Sequence, residues 1–581
     1  MVNLKINGQP IQVEAGTTIL EAAKKVNVKI PTLCYNPDLP PWAACGICIV
    51  RMEGSPKMLR ACSTPVAENM SVITHDPEIV EVRRTVIELT LSNHPNDCLQ
   101  CPRNCNCELQ TLAAEFGIRE VPYQRFLNNL PIDDSNPAIV LNPDKCVRCG
   151  RCVNVCQEMQ NVWAIEFLGR GIKGRIAPAA DVKLGESPCV MCGQCAAHCP
   201  VGAIYEHDDT KKVWDGLHKA ELHSVVQIAP AVRVALGEEF GLAPGTILTR
   251  KIYAALRRLG FKTVFDTNFA ADLTIIEEGT ELVKRLTEGA GELPLITSCC
   301  PAWVDYMEKY YSDMIPHFST AKSPMQMMGA MIKTYWAKKT GIDASKIFSV
   351  SVMPCTAKKW ETSRNEDMSS SGYQDVDVSI TTRELARMIK QAGIDLLNLP
   401  DEEADSPLGP YSGAGTIFGA TGGVMEAAVR TAYNLVTKKE LEDVNFKAVR
   451  GLEGIKEAEI DMNGTKIRIA VAHQLGNIAA VLDKIRDAKA AGEELPYHFV
   501  EVMACRGGCI AGGGQPYGCT DEVRSKRIAG IYNDDMKSTY RCSHLNPYIK
   551  QVYDEFLGEP NGHTAHKLLH TSYVPRPLYM K

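Results

Sequence analysis

The sequence predicts a multidomain chain in which small cysteine-rich modules precede a mostly parallel α/β domain. Three observations predict it. The chain has 581 residues, several times the ~100 to 200 residues of one domain. Sixteen of its 23 cysteines fall before residue 210, in four tight groups of four. Beyond that point short apolar runs alternate with helical stretches, the pattern of a parallel sheet covered by helices.

Composition narrows the function classes. A net charge of -6 leaves no surplus of lysine and arginine for a phosphate backbone, so no nucleic-acid partner is expected. Charge interrupts every long apolar run, as Arg233 and Glu238 interrupt the one after Val225, so no membrane span is expected. The opening MVNLKINGQP lacks the basic region and apolar core of a signal peptide, which points to a cytoplasmic location. In such a reducing compartment, clustered cysteines serve as metal ligands or redox groups rather than as disulfides.

The first group is Cys34, Cys45, Cys48 and Cys62, separated by 10, 2 and 13 residues. It follows a hairpin around Asn7-Gly8 and a helix opened by a capping box, Thr18 with Glu21. Two strands and a helix before a cysteine loop suit a β-grasp (ubiquitin-like) ferredoxin fold over residues 1–77. Zinc could also take four thiolates, but the spacing departs from the paired Cys-x2-Cys of zinc ribbons and from the plant-type ferredoxin pattern. The group resembles the 2Fe-2S domain of respiratory and hydrogenase electron-transfer subunits.

The second group, over residues 78–117, reads His94-x3-Cys98-x2-Cys101-x5-Cys107, with Cys105 left over, just beyond a helix predicted from Pro77 to Leu91. A lone histidine there would be a surface residue; its fixed offset from three cysteines makes it a ligand candidate. Imidazole in place of thiolate removes a negative charge and shifts a cluster's potential. The pattern resembles the 4Fe-4S site with one histidine and three cysteines shared by the large iron-sulfur subunit of complex I and some hydrogenases. A glycine often holds the place of Cys105 in that family, and either Cys105 or Cys107 can be the third thiolate. Residues 118–137 are polar, contain proline and read as a linker.

The third and fourth groups, within residues 138–209, are Cys146-x2-Cys149-x2-Cys152-x3-Cys156 and Cys189-x2-Cys192-x2-Cys195-x3-Cys199-Pro200. This repeat describes a two-cluster bacterial ferredoxin, in which the fourth cysteine of each run ligates the other cluster. One cluster then uses Cys146, Cys149, Cys152 and Cys199, the other Cys189, Cys192, Cys195 and Cys156. Gln157 stands where proline usually follows. A pair of zinc ribbons is the bland alternative, but three sulfurs crowded into one turn suit a cubane better.

In the C-terminal domain, residues 210–581, apolar strands are predicted at 224–230, 262–267, 294–298, 346–354, 466–472 and 498–504. Sites in such folds form at the carboxyl ends of strands. Cys299-Cys300, Cys355, and Cys505 with Cys509 all stand there. Successive side chains on an extended backbone point to opposite faces, so only one of Cys299 and Cys300 faces a shared cluster.

These three motifs resemble the signatures of FeFe hydrogenases, and with the upstream groups the resemblance covers essentially the whole chain. It implies an H-cluster: a 4Fe-4S cubane joined to a diiron unit that carries carbon monoxide, cyanide and an azadithiolate. By motif position Cys300, Cys355, Cys505 and Cys509 hold the cubane, and Cys509 bridges to the diiron unit. Cys299 is the proton donor and acceptor, continued by Glu278, Ser319 and Glu281, and Lys358 binds cyanide. Pro230, Gln326, Met353 and Met503 line the pocket. Ala231 replaces a serine of many ferredoxin-linked members, which removes one hydrogen bond to the diiron unit.

The implied function is reversible oxidation of dihydrogen to protons and electrons. Electrons pass through one 2Fe-2S and three accessory 4Fe-4S clusters to ferredoxin, to NAD, or to both. Ala231 is reminiscent of catalytic subunits of NAD-linked, electron-bifurcating hydrogenases, which implies flavin- and NAD-binding iron-sulfur subunits in a hetero-oligomer. A stand-alone ferredoxin-linked hydrogenase is one alternative. A non-catalytic iron-sulfur assembly or electron-transfer protein is another; such relatives tend to lose the Cys299 thiol or the Lys358 amine, both present here.

Other motifs carry less. GAGTIFGATGG at 413–423 follows a proline-rich acidic loop rather than a strand and has the wrong glycine spacing for a dinucleotide fingerprint, so close backbone packing is expected. The same holds for Gly512-Gly513-Gly514. His563, His566 and His570 share one helical face and read as tail packing. Cys519 and Cys542 receive no role.

Overall fold

The computed structural model describes residues 1–462 and 464–580. It forms two compact units: residues 1–159, 163–187 and 198–205, and residues 160–162, 188–197 and 206–581.

The smaller unit begins with strands β1 (Val2–Ile6) and β2 (Gln9–Val13), joined by a turn with positive φ at both Asn7 and Gly8. That turn matches the right-handed twist of a hairpin. With β3 (Ile49–Met52), β4 (Met58–Arg60) and β5 (Met70–Ile73) they form a five-stranded sheet ordered β2-β1-β5-β3-β4, in which β1 and β5 run parallel. Helix Ile19–Lys25 starts where the Thr18 hydroxyl accepts from Glu21 N, and its Ile19, Leu20, Ala22 and Ala23 share one buried cluster with Leu4, Ile6 and Val72 of the sheet.

Helices Pro77–Ser92 and Glu108–Glu115 follow, then β6 (Ile139–Leu141), β7 (Glu166–Leu168), β8 (Arg175–Ala177) and β9 (Ile204–Glu206). β6 pairs with β9 and β7 with β8. The segment 118–137 has no helix or strand but is strapped down: Phe126 N donates to Ser92 O (3.0 Å), Arg125 Nη2 to Pro95 O (2.5 Å) and Leu130 N to Asp144 Oδ2 (3.1 Å).

The larger unit contains β10 (His223–Ile228), β11 (Thr263–Asp266), β12 (Leu295–Ile296), β13 (Ile347–Met353), β14 (Val378–Thr381), β15 (Ile455–Met462), β16 (Thr465–His473) and β17 (Phe499–Met503). They make two four-stranded sheets, ordered β11-β10-β13-β14 and β12-β17-β16-β15. The first is wholly parallel; in the second only the edge strand β15 is antiparallel. All six strands read from the sequence are present, and β14 and β15 are additional. Helix Thr267–Glu288 is capped by Asp266 and buried along most of its length. No helix among the described residues is long and apolar enough to cross a membrane.

Candidate active site

Three strand ends deliver the cysteines. β12 runs out through Thr297 and Ser298 into Cys299-Cys300, and Cys300 caps helix Pro301–Tyr310 with proline at its first turn. β13 ends at Met353, followed by Pro354-Cys355 and the short helix Lys358–Glu361. β17 ends at Met503 before Cys505 and Cys509, and because β12 and β17 pair in parallel their carboxyl ends lie side by side.

All five cysteines line one buried cavity with Pro230, Ala231, Met353, Met503 and Lys358. Apart from the sulfurs and the Lys358 ammonium, its walls are largely apolar. Burial raises each thiol: Cys355 is pushed up to about 12, and Cys300, Cys505 and Cys509 also rise. Four sulfurs from three distant segments in one dry, nearly uncharged pocket suit a polynuclear iron-sulfur group, whose metal charge stabilises thiolates that burial alone disfavours. Those four residues fit the cubane, the remaining apolar space beside Pro230, Met353 and Met503 fits small diatomic ligands such as carbon monoxide on a diiron unit, and the Lys358 ammonium suits an anionic one such as cyanide.

Lys358 Nζ donates to Cys299 O (3.2 Å) and to Glu361 Oε2 (2.6 Å). Glu361 was missed in the sequence, although its spacing of three from Lys358 on a helix is a readable pairing signal. Gln326 does not line this cavity. It borders a small neighbouring one with Ser298 and Pro301, where its Nε2 donates to Glu361 O (3.2 Å) and its buried Oε1 has no hydrogen-bond partner.

A line of acid groups leads away from Cys299. Burial raises the Cys299 thiol well above its ordinary range, and the nearby Glu278 carboxylate adds to the rise. Glu278 is itself buried and pushed up to about 8; the Ser319 hydrogen bond acts in the opposite direction, and the charge of Glu281 adds to the rise. Ser319 Oγ donates to Glu281 Oε2 (3.2 Å). Glu281 sits at the accessible end, its side chain 12% exposed and paired with Arg285 at 2.6 Å. His570, read only as tail packing, contacts Thr320 Oγ1 (2.8 Å) and Glu277 Oε2 (2.9 Å) beside this line; His566 stacks on it and His563 is exposed.

On another wall the second cysteine run approaches. Gln194 Nε2 donates to Cys505 Sγ (3.2 Å) and Ala511 O (3.1 Å), and Thr356 Oγ1 donates to Met191 O (2.7 Å). A Cβ on Gly513 would fall 2.4 Å from Cys192 O, and one on Gly193 2.3 Å from Thr356 Oγ1. Glycine at both positions is what lets these backbones touch. The glycines of 413–423 also pack closely: a Cβ on Gly423 would lie 1.7 Å from Ile417 O.

The upstream groups also converge. Cys34 lies within hydrogen-bonding reach of Cys45 and Cys62, and Cys48 of Cys62. Cys146, Cys149, Cys152 and Cys199 line a single small cavity. His94 is buried; its Nδ1 lies 3.3 Å from Asn96 Oδ1 and 3.2 Å from Asn96 N, and its buried Nε2 has no hydrogen-bond partner, an orphaned polar atom that a metal would satisfy. Cys105 is exposed with positive φ, whereas Cys107 is more enclosed at the start of helix Glu108–Glu115 and its thiol is raised by burial. Cys98 and Cys101 are half-buried, and a Cβ on Gly202 would lie 2.4 Å from Cys101 Sγ. Cys189, Cys192 and Cys195 stand in the larger unit and Cys156 in the smaller.

Comparison with known proteins finds iron hydrogenase regions preceded by iron-sulfur domains. The profile of the iron only hydrogenase large subunit, C-terminal domain, matches residues 222–513, and that of the iron hydrogenase small subunit matches 521–576. Upstream, a 2Fe-2S iron-sulfur cluster binding domain matches 1–77, the NADH-ubiquinone oxidoreductase-G iron-sulfur binding region 83–122 and a 4Fe-4S dicluster domain 145–203. The chain is 47% identical to the NADP-reducing hydrogenase subunit HndD of Solidesulfovibrio fructosivorans, over 99% of both chains. It is 40% identical to iron hydrogenase 1 of Clostridium pasteurianum, over 99% of this chain and 100% of that protein. A solved structure of a variant of [FeFe]-hydrogenase HydA1 from Chlamydomonas reinhardtii superposes with a TM-score of 0.57 at 44% identity, covering 64% of this chain and 100% of that one.

Proposed function

The chain belongs to the iron-only hydrogenase family, and from that premise we propose how its own residues part the charges of dihydrogen. It is the catalytic subunit of a hydrogenase, oxidising dihydrogen reversibly and relaying electrons through iron-sulfur clusters to partner subunits. The H-cluster, when bound, supplies the Lewis-acidic metal on which dihydrogen is polarised.

In our reading Cys300, Cys355, Cys505 and Cys509 hold the cubane and Cys299 moves the proton. Two observations carry this: a fifth thiol that shares the cavity with the four ligands, and a buried carboxylate close enough to that thiol to raise it. The proton passes from Cys299 to Glu278, across Ser319 to Glu281, and so to the surface. Lys358, held by Glu361, presents an ammonium donor to the pocket. The apolar walls around Pro230, Ala231, Met353 and Met503 exclude water, so that protons move by the side-chain route.

Electrons leave on the Gln194 side, toward the cluster of Cys189, Cys192, Cys195 and Cys156. Cys146, Cys149, Cys152 and Cys199 would hold a further relay cluster, as would His94, Cys98, Cys101 and Cys107, and Cys34, Cys45, Cys48 and Cys62. The five-stranded sheet with its single packed helix supports a β-grasp reading of residues 1–77. We divide the rest into 78–117, a linker at 118–137, a two-cluster ferredoxin domain at 138–209 and the H-cluster domain at 210–581. Ala231 and the similarity to HndD favour acceptors reached through flavin- and nicotinamide-binding partner subunits, with ferredoxin as a second acceptor. Wealth in thiols favours the cytoplasm.

The test is infrared spectroscopy of the anaerobically matured chain beside dihydrogen evolution from a reduced dye. Carbon monoxide and cyanide bands with turnover are expected; an assembly or electron-transfer protein would give neither.

A further inference from the structure

Cys542, left without a role by the sequence and remote from every cluster motif in it, stands in a second constellation of metal-ligating groups. Its sulfur, an imidazole nitrogen of His544 and a carboxylate oxygen of Glu440 all lie within 4.8 Å of one another. Ligands of one zinc ion at ~2.0 to 2.3 Å stand ~3 to 4 Å apart, so small side-chain movements suffice to close the shell.

The surroundings of these three groups are those of a built site. His544 Nδ1 lies 3.1 Å from Thr431 Oγ1, while Nε2 lies 3.1 Å from both oxygens of Glu440. In the tautomer with its proton on Nδ1 toward Thr431, His544 turns its Nε2 lone pair to the carboxylate, and with the Cys542 thiol as third neighbour the three groups form a nitrogen, oxygen and sulfur donor set of the kind that zinc takes. Glu440 Oε1 also accepts from Asn434 Nδ2 (2.7 Å), which orients the carboxylate.

The Cys-x-His turn is fixed from both sides. Arg430 Nη1 donates to Arg541 O (2.7 Å), just before Cys542. Ser543 Oγ and Asn546 Nδ2 donate to the two oxygens of buried Asp272 (2.8 and 3.0 Å). Cys542 is 2% exposed, whereas the Glu440 side chain is 51% exposed, leaving an open side through which an ion and a water ligand can enter.

We propose that Cys542, His544 and Glu440 bind one zinc ion, with water as the fourth ligand. The ion staples the end of helix Gly423–Thr437 to the segment that matches the small-subunit family. Thr431, Asn434 and Glu440 lie within the stretch matched as large subunit, 222–513, and Cys542 and His544 within 521–576. A chain that carries both regions in one polypeptide gains from cross-linking them, because the metal is held only while the two are docked.

The experiment uses the full chain, matured anaerobically, washed with chelator, equilibrated with zinc chloride and freed of excess. Elemental analysis should give about one zinc per native chain and at least a ~10-fold fall in Cys542→Ser and His544→Gln, with iron unchanged. Glu440→Gln, which keeps the side-chain shape, should bind zinc more weakly at the same iron content. A zinc chelator should lower the unfolding temperature of the native chain and leave that of Cys542→Ser unmoved. Unchanged iron shows that a variant has folded. Absence of zinc from the native chain at full iron loading, or equal zinc in native chain and variants, overturns the proposal.

Discussion

Replacement of Glu278 by glutamine separates a proton relay from a structural carboxylate, because the two roles move stability and turnover in opposite directions. Glu278 is pushed from 4.5 up to about 8, with burial the largest cause. The folded chain therefore keeps a proton that the unfolded chain releases above 4.5, and stability is lost as pH rises toward 8. At pH 7 that linkage costs roughly 3 kcal/mol as an upper figure. An amide does not ionise, so Glu278→Gln should hold or raise the unfolding temperature at pH 7 to 8, and should flatten its decline with pH. Turnover should fall, because the amide carries no transferable proton; removal of such a group typically costs ~100- to 10,000-fold. The assays are dihydrogen evolution from a reduced dye, unfolding temperature at matched scan rate across pH 6 to 8, and the carbonyl and cyanide infrared bands. Near-native turnover, a fall in unfolding temperature at pH 8, or loss of those bands would refute the role.

Cys299→Ala should keep the infrared bands and lose turnover by at least ~100-fold, while Cys299→Asp, which retains a titratable proton, should keep more activity than alanine or serine. Cys105→Ser should leave the histidine-ligated cluster intact by electron paramagnetic resonance and Cys107→Ser should remove it, because Cys105 is exposed and Cys107 more enclosed. Iron analysis of the matured chain should give about 20 atoms, from five clusters of four protein ligands each plus the diiron unit; stoichiometric zinc in the upstream groups would contradict the assignment. The isolated chain should evolve dihydrogen but not reduce NAD until flavin-bearing partners are added.

Legibility in the sequence followed the reach of each interaction. The cysteine runs and six buried strands were readable because spacing and continuous apolar character are local properties. β14 was not, since VSIT is only four residues long and sits in a helix-dense stretch. β15 was missed for a different reason: IKEAEIDM carries four charged residues and no continuous apolar run, because one face of this strand is largely exposed. The segment 118–137 looks like a linker because its anchors are backbone hydrogen bonds and arginine-to-carbonyl contacts, which leave no apolar period. Long-range pairings such as Gln194 with Cys505, or His570 with Glu277, have no local signal; the first joins residues 311 apart and the second residues 293 apart.

In the proposed reading, one cavity serves two kinds of charge, and the contacts around it meet the different needs of each. A proton needs a chain of groups that both give and accept it, and each link must be close to isoenergetic with the next. Burial raises both Cys299 and Glu278, which favours the neutral, proton-bearing form of each in the resting site. An electron needs no such chain but falls off steeply in rate with distance through protein. The contact that matters for it is therefore the tight backbone approach of Gly193 and Gly513, with Gln194 bonded to the sulfur of Cys505. Enlarging either glycine would push the second cysteine run away from that sulfur, slowing electron exit without touching an acid or base. The acid line and the glycine contact lie against different strand ends, so the larger unit can tune one exit without disturbing the other.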